Sequence, residues 1–173
     1  MIYVVFLRGI NVSGKHKIIM KDFVDILLEN PKLSVVKSYI QSGNFVVESS
    51  LQETKEVSDL FSEIILKEYK YDIKAFAYTL NEFKNIYDDY PFNIREKNDY
   101  VTFLSSVPDE EQVNNVNNGA DALILKNDVI YIQYATKYSD SKLNNNYFEK
   151  QLKVTATTRN IKTVSKLMKI AEK

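Results

Sequence analysis

The sequence predicts an α+β protein with antiparallel sheets, and three observations lead to that prediction. The segment IYVVFL (residues 2–7) is apolar at every position, which is typical of a central strand covered on both faces. Two β-rich runs, VVKSYIQ and FVVES, are joined by Ser42-Gly43, which is a turn signal between antiparallel strands. The order of strand and helix patterns in the first half of the chain then nearly repeats in the second half.

The first half has the order β-α-β-β-α-β, which is that of the ferredoxin-like fold. Phe23, Ile26 and Leu27 have helical spacing, and their helix must end before Pro31. We therefore assign residues 1–78 to a first ferredoxin-like unit. Its elements after the first strand are a helix over 20–30, a hairpin over 35–49, a helix over 53–70 and a strand over 73–78.

Residues 79–98 are assigned to a connecting helix and loop, and residues 99–173 to a second plait-like unit. This second unit is predicted as βαββα followed by a C-terminal amphipathic helix, for which Thr158 is a good N-cap. Its earlier elements are a strand over 100–106, a helix over 109–118, strands over 121–126 and 129–134, and a helix over 142–152.

A single ferredoxin-like unit places both helices on one sheet face and leaves the other face open. Because residues 2–7 are apolar on both faces, something must cover the open side, and the second unit is the simplest candidate. We expect two ferredoxin-like subdomains packed together, with loops converging at the edge of their interface. Ligand sites tend to form at such junctions.

Composition excludes several classes of site. The chain has no cysteine, which removes disulfides, thiolate metal sites and cysteine nucleophiles. Its single histidine argues against a zinc site, so we predict neither a metal nor a cofactor and assign no catalytic residue. No run approaches the ~18 apolar residues of a membrane helix. We expect a cytoplasmic protein without a membrane partner.

The charge of the chain is zero overall but unevenly placed. Zero net charge argues against sequence-blind binding to nucleic acid. Yet residues 1–21 carry four basic side chains and no acidic one, and residues 142–173 are also rich in lysine. If the two ends of the chain meet in the fold, they create a local positive field, although basic side chains are more often simply solvated surface.

The segment GINVSGKH (residues 9–16) nearly matches the phosphate-binding P-loop, G-x-x-x-x-G-K-[ST]. His16 stands where a hydroxyl should bind magnesium, and the helical pattern begins only near Met20 rather than directly after Lys15. P-loop proteins also use parallel sheets, whereas hairpins are predicted here. The sequence therefore indicates a glycine-bearing loop that can still offer amides and cations to an anion.

Four segments resemble the recurring blocks of the domain of unknown function 1697 family, a family of uncharacterised bacterial proteins. They are LRGINVSGKHKIIM, YIQSGNFVV, SKLNNN and TTRNIKTVSKL, in the same order and across nearly the whole chain. The resemblance implies a pair of ferredoxin-like units and no particular activity. It also indicates which residues are candidates for a binding site, and from its blocks we select Arg8, Asn11, Lys15, Gln41, Ser42, Asn44, Lys142, Arg159 and Asn160.

These residues are cations, amides and a hydroxyl, placed after a strand, in a hairpin turn and at two predicted helix starts. Such a set favours binding of a phosphorylated metabolite or nucleotide over general acid–base chemistry, which needs a group titrating near neutral pH. An alternative interpretation is that these polar side chains bind no ligand and only stabilise the loops through hydrogen bonds to the backbone. Two other functions remain open, namely an RNA-binding module and a protein-interaction or homodimeric domain without a small ligand.

Overall fold

Two four-stranded antiparallel sheets, each packed with helices, form the protein. The computed structural model describes all 173 residues. They divide into a first unit, Met1–Asn85 with Lys166–Lys173, and a second unit, Ile86–Ser165. The predicted α+β class with two ferredoxin-like subdomains is confirmed. None of the helices combines the length and apolar character needed to cross a membrane.

The first unit has the strand order β2-β3-β1-β4, with every neighbouring pair antiparallel. Strand β1 is therefore an inner strand, as its continuous apolar sequence predicts. The elements are β1 (Ile2–Leu7), α1 (Met20–Leu28), β2 (Leu33–Ser38), β3 (Asn44–Ser49), α2 (Thr54–Tyr69) and β4 (Ala75–Thr79), followed along the chain by α3 (Leu80–Asp88).

The core of the first unit lies between the sheet and helices α1 and α2. The ring of Phe23 in α1 packs edge-on against Phe45 of β3 and Phe61 of α2, with centroids 5.6 and 6.1 Å apart. The opposite face of β1 is buried too, since Phe6 is fully buried and its ring lies 5.8 Å from that of Phe83 in α3. Burial on both faces explains why this strand lacks alternating polar residues.

The second unit repeats the arrangement with the strand order β6-β7-β5-β8. Asp99, at the start of β5, is fully buried and accepts hydrogen bonds from the Tyr90 hydroxyl, the Arg95 amide and the Gln133 amide group. Burial and the bond to Asp99 raise the pKa of Tyr90. The elements are β5 (Asp99–Leu104), α4 (Glu110–Asn114), β6 (Ala122–Lys126), β7 (Val129–Gln133), α5 (Asn145–Leu152) and β8 (Ala156–Asn160). Helix α6 (Ile161–Ala171) follows along the chain, and its residues from Lys166 onward belong to the first unit.

The prediction that Thr158 begins the last helix is wrong. Residues 156–160 form β8, which pairs with β5, and the helix starts at Ile161. Thr158 is a mid-strand residue whose hydroxyl contacts Thr102 Oγ1 at 2.7 Å and donates to Asn145 Oδ1 at 2.6 Å. Threonine favours helix caps, but it is also β-branched, and here strand pairing prevails.

The predicted helix over 109–118 is likewise shorter than expected. Helix α4 ends at Asn114, and an asparagine-rich turn follows it. Asparagine side chains compete with the helix for backbone hydrogen bonds, as when Asn117 Oδ1 accepts from the Gly119 amide.

A substitution at Gly43 tests how tightly the hairpin turn packs on β1. A Cβ added there lies 2.8 Å from Leu7 Cβ and 2.9 Å from Ile10 Cδ1, and the φ of Gly43 is +78°. Gly43→Ala therefore combines overpacking with left-handed strain, and we expect it to lower the free energy of unfolding by about 2–4 kcal/mol in urea titrations. Gly14→Ala is the matched control, because its φ is +73° but nothing lies within 4 Å of the added Cβ. Equal losses from the two variants would contradict the described packing.

Candidate functional site

Three loops of the first unit lie together at one end of its sheet, which we call the basic end. They are residues 8–19 after β1, 39–43 between β2 and β3, and 70–74 before β4. Backbone bonds join them, since the Leu7 amide donates to Gly43 O at 2.9 Å and the Arg8 amide donates to Lys74 O at 3.0 Å. Antiparallel pairing thus brings segments that are distant in sequence to a single edge.

The charge of the basic end is strongly positive, because its loops carry five cations and only one acid, Asp72. Most of these side chains are exposed, and Arg8 is half-buried. The loops at the opposite end of the sheet, residues 29–32 and 50–53, contain Glu29, Glu53 and a single lysine. A neutral chain therefore has a local positive field at the basic end. The cations there are Arg8, Lys15, Lys17, Lys70 and Lys74.

The side chain of Asn11 fixes the first loop to itself and to the hairpin turn. Its Nδ2 donates to Gln41 O at 2.7 Å and to Ile18 O at 2.9 Å, and its Oδ1 accepts from the Ile18 amide at 2.9 Å. Both ends of the carboxamide are therefore engaged within the protein. Asn11 positions the loop, in agreement with the interpretation that polar side chains hold these loops together.

The residues that resemble a P-loop form a small hairpin instead. Val12 and Lys15 make an isolated antiparallel bridge, and the Lys15 amide donates to Val12 O at 2.9 Å. The two residues between them, Ser13 and Gly14, have φ values of +50° and +73°, as a type I′ turn requires. Helix α1 begins only at Met20, so no helix N-terminus follows Lys15 directly.

Left-handed backbone is concentrated at the basic end. Every residue of the first unit with positive φ lies there, and five of them are not glycine. Ile40 is the most unusual of these, because a β-branched residue at φ +52° is strained and its side chain is half exposed. Strained backbone of this kind clusters at functional sites. The residues are Gly9, Asn11, Ser13, Gly14, His16, Ile40, Gly43 and Lys70.

The second predicted block forms the turn between β2 and β3, as expected. Asn44 is fully buried, and its Nδ2 donates to Tyr39 O and to Ser42 Oγ, both at 2.9 Å. Gln41 is exposed and gives its main-chain oxygen to Asn11. The side chains of Ser42 and Asn44 therefore stabilise the turn. The exposed side chain of Gln41 is available to face a ligand.

The third and fourth blocks belong to the second unit. Lys142 is exposed ahead of α5, whereas Arg159 in β8 is only 8% exposed. The Arg159 guanidinium donates to Thr157 Oγ1 at 2.8 Å and to Thr158 O at 2.9 Å. Asn160 Nδ2 donates to Glu96 O at 3.1 Å, and its Oδ1 accepts from the Lys162 amide at 2.8 Å. Arg159 and Asn160 therefore make bonds that support their own unit.

Aromatic rings accompany the cations at the basic end, and the sequence pattern did not reveal them as a group. The exposed His16 has its ring centroid 5.0 Å from that of Tyr71, and Tyr71 stacks on Tyr69 at 6.1 Å with an angle of 19°. Tyr69 in turn packs edge-on against Phe23. Burial, together with the charges of Asp22 and Glu68, raises the pKa of Tyr69. Lys17 lies on the same loop as Lys15, whereas Lys70, Tyr71 and Lys74 join the site only through strand pairing.

Comparison with known proteins identifies a family and a fold. The model of a family described as "Protein of unknown function (DUF1697)" matches residues 1–135. Among solved structures, the chain is similar to conserved bacterial protein SP0830 from Streptococcus pneumoniae, with 23% identity and a TM-score of 0.74 over 99% of this chain and 98% of that one. At this identity the likeness supports the fold alone. No curated protein matches the chain.

Replacing Asn11 tests whether its carboxamide holds the two loops together. Asn11→Asp keeps the size and shape of the side chain but removes the two hydrogen bonds that Nδ2 donates. It also places a carboxylate next to the main-chain oxygens of Ile18 and Gln41. We expect it to lower the free energy of unfolding by about 1–3 kcal/mol in urea titrations at neutral pH. Gln41→Ala is the control, since its main-chain oxygen remains as the acceptor and stability should be unchanged. A fully stable Asn11→Asp variant would refute the role assigned to this side chain.

Proposed function

Since the chain belongs to the DUF1697 family of proteins of unknown function, we propose from its own geometry that it binds an anionic small molecule. The ligand is a phosphorylated metabolite or nucleotide, and the site is the basic end of the first unit. The observation that carries this proposal is the meeting of five cations and one acid in three loops that hydrogen bonds join. No reaction is assigned to the site.

Charge supports an anionic ligand over a neutral one. Lys15 and Lys17 are exposed on a loop whose backbone the Asn11 bonds hold in place. Two other lysines of this unit form ion pairs, Lys55 with Asp59 and Lys67 with Glu68. A phosphate that reaches the basic end thus meets cations on a loop whose backbone is already ordered.

Residues have distinct roles in this proposal. Arg8, Lys15 and Lys17 provide charge to the ligand, and Gln41 offers an exposed amide beside them. Asn11, Ser42 and Asn44 hold the loops in shape rather than contact the ligand. Lys142, Arg159 and Asn160 lie in the second unit and are not required by the site proposed at the basic end.

Burial of the first sheet argues against the RNA-binding alternative. Proteins with this fold that bind RNA stack bases on aromatic side chains of exposed strands. Here Phe6 of β1 and Phe76 and Tyr78 of β4 are all less than 10% exposed. A nucleobase cannot stack on these buried rings. The loops of the basic end are therefore a better candidate than the sheet for a ligand-binding surface.

A calorimetric titration tests the proposal. The wild-type protein is titrated at low ionic strength with inorganic phosphate, pyrophosphate, ribose 5-phosphate and AMP, and with uncharged ribose as a reference. We expect the phosphorylated ligands to bind, ribose not to bind, and affinity to fall as salt is added. In the double variant Lys15→Gln/Lys17→Gln, two charge-assisted contacts are lost, and the affinity should fall by roughly tenfold or more.

The control is Lys32→Gln/Lys55→Gln, which removes the same charge far from the basic end. Lys32 precedes β2 and Lys55 lies in the first turn of α2, both at the opposite end of the sheet. The exposed Lys55–Asp59 pair contributes little to stability, so the control should fold normally. If no phosphorylated ligand binds the wild type, or if both double variants lose affinity equally, the proposal is wrong.

A further inference from the structure

We propose that the ligand of the basic end is a nucleotide, whose base stacks on the ring of His16. This inference rests on the proposed function and narrows it from phosphorylated molecules in general to those with a planar aromatic ring. It depends on a second feature of the same surface, the column of rings formed by His16, Tyr71 and Tyr69.

The column runs from the core to the surface. Phe23 is fully buried, Tyr69 packs on it with centroids 6.0 Å apart, and Tyr71 stacks on Tyr69. His16 is the outermost member, exposed and 5.0 Å from Tyr71. A supported ring with an exposed face is the kind of platform on which nucleobases stack in many binding proteins.

The position of His16 is fixed rather than incidental. Its backbone has φ +48°, which is uncommon for a residue other than glycine. The His16 carbonyl accepts from the Asn11 amide at 3.2 Å, and its ring Nδ1 lies 3.1 Å from Gly9 O. The loop thus holds the ring beside Tyr71 at an energetic cost, as expected for a side chain that contacts a ligand.

The cations of the basic end lie close to the His16 and Tyr71 rings. Lys15 and Lys17 flank His16 and are exposed. Lys70 and Lys74 lie on either side of Tyr71 in the loop before β4. A ligand with a phosphate and a planar ring therefore finds both complementary groups at one surface, whereas a sugar phosphate uses only the cations.

A comparison of AMP with ribose 5-phosphate tests this inference, because the two differ in the base. In wild-type protein we expect AMP to bind about tenfold more tightly by calorimetry. His16→Asn removes the ring but tolerates positive φ, and it should abolish this preference while ribose 5-phosphate still binds. Tyr71→Phe keeps the ring that lies tilted beside His16 and should retain the preference. NMR of the His16 ring protons should show upfield shifts with AMP and not with ribose 5-phosphate.

Each other outcome overturns the inference. Equal binding of AMP and ribose 5-phosphate in the wild type refutes base stacking and leaves the proposed anion site intact. A preference for AMP that persists in His16→Asn places the base elsewhere and also refutes it. Failure of AMP to bind the wild type refutes this inference, and failure of every phosphorylated ligand in the titration also refutes the proposed function.

Discussion

The arrangement of the basic end depends on the side-chain hydrogen bonds of Asn11. A loop of twelve residues separates β1 from α1. Ordering this loop costs considerable conformational entropy, which favourable hydrogen bonds must offset. The Asn11 carboxamide closes this loop on Ile18 and anchors it to the β2–β3 turn at Gln41. Those bonds allow Lys15, His16 and Lys17 to occupy defined positions on the surface.

The topology of the first sheet explains why this end is available for function. Strand β1 is paired on both sides and buried on both faces, so its backbone and side chains serve the fold. The loop that follows it lies outside the sheet, and loops on a rigid scaffold commonly carry binding residues. Positive φ, an excess of positive charge and an exposed imidazole ring beside a tyrosine occur together there, and not at the opposite end of the first sheet.

Much of the fold can be predicted from the sequence because its signals are local. The apolar run 2–7, the turn at Ser42-Gly43 and the start of α1 near Met20 each follow from a few neighbouring residues and are confirmed. The strand at 156–160 was missed because threonine signals both helix caps and strands, and only pairing with β5 decides between them.

The candidate site is less accessible to sequence reasoning. Lys15 was expected at a site, but Lys74 and Tyr71 reach the same end of the sheet only because β4 starts where β1 finishes. Nor does a sequence distinguish an asparagine that holds a loop from one that faces a ligand. Asn11 and Asn44 were both predicted to bind a ligand, but their side chains donate hydrogen bonds to main-chain oxygens of the protein.

The most direct test of the account is to map the bound ligand on the protein. Backbone amide NMR shifts are followed while AMP is added to ¹⁵N-labelled wild-type protein. We expect large shifts within residues 8–19, 39–43 and 70–74, and little change within residues 29–32 and 50–53 at the opposite end of the sheet. Shifts concentrated away from the basic end, or no shifts at saturating AMP, would contradict it.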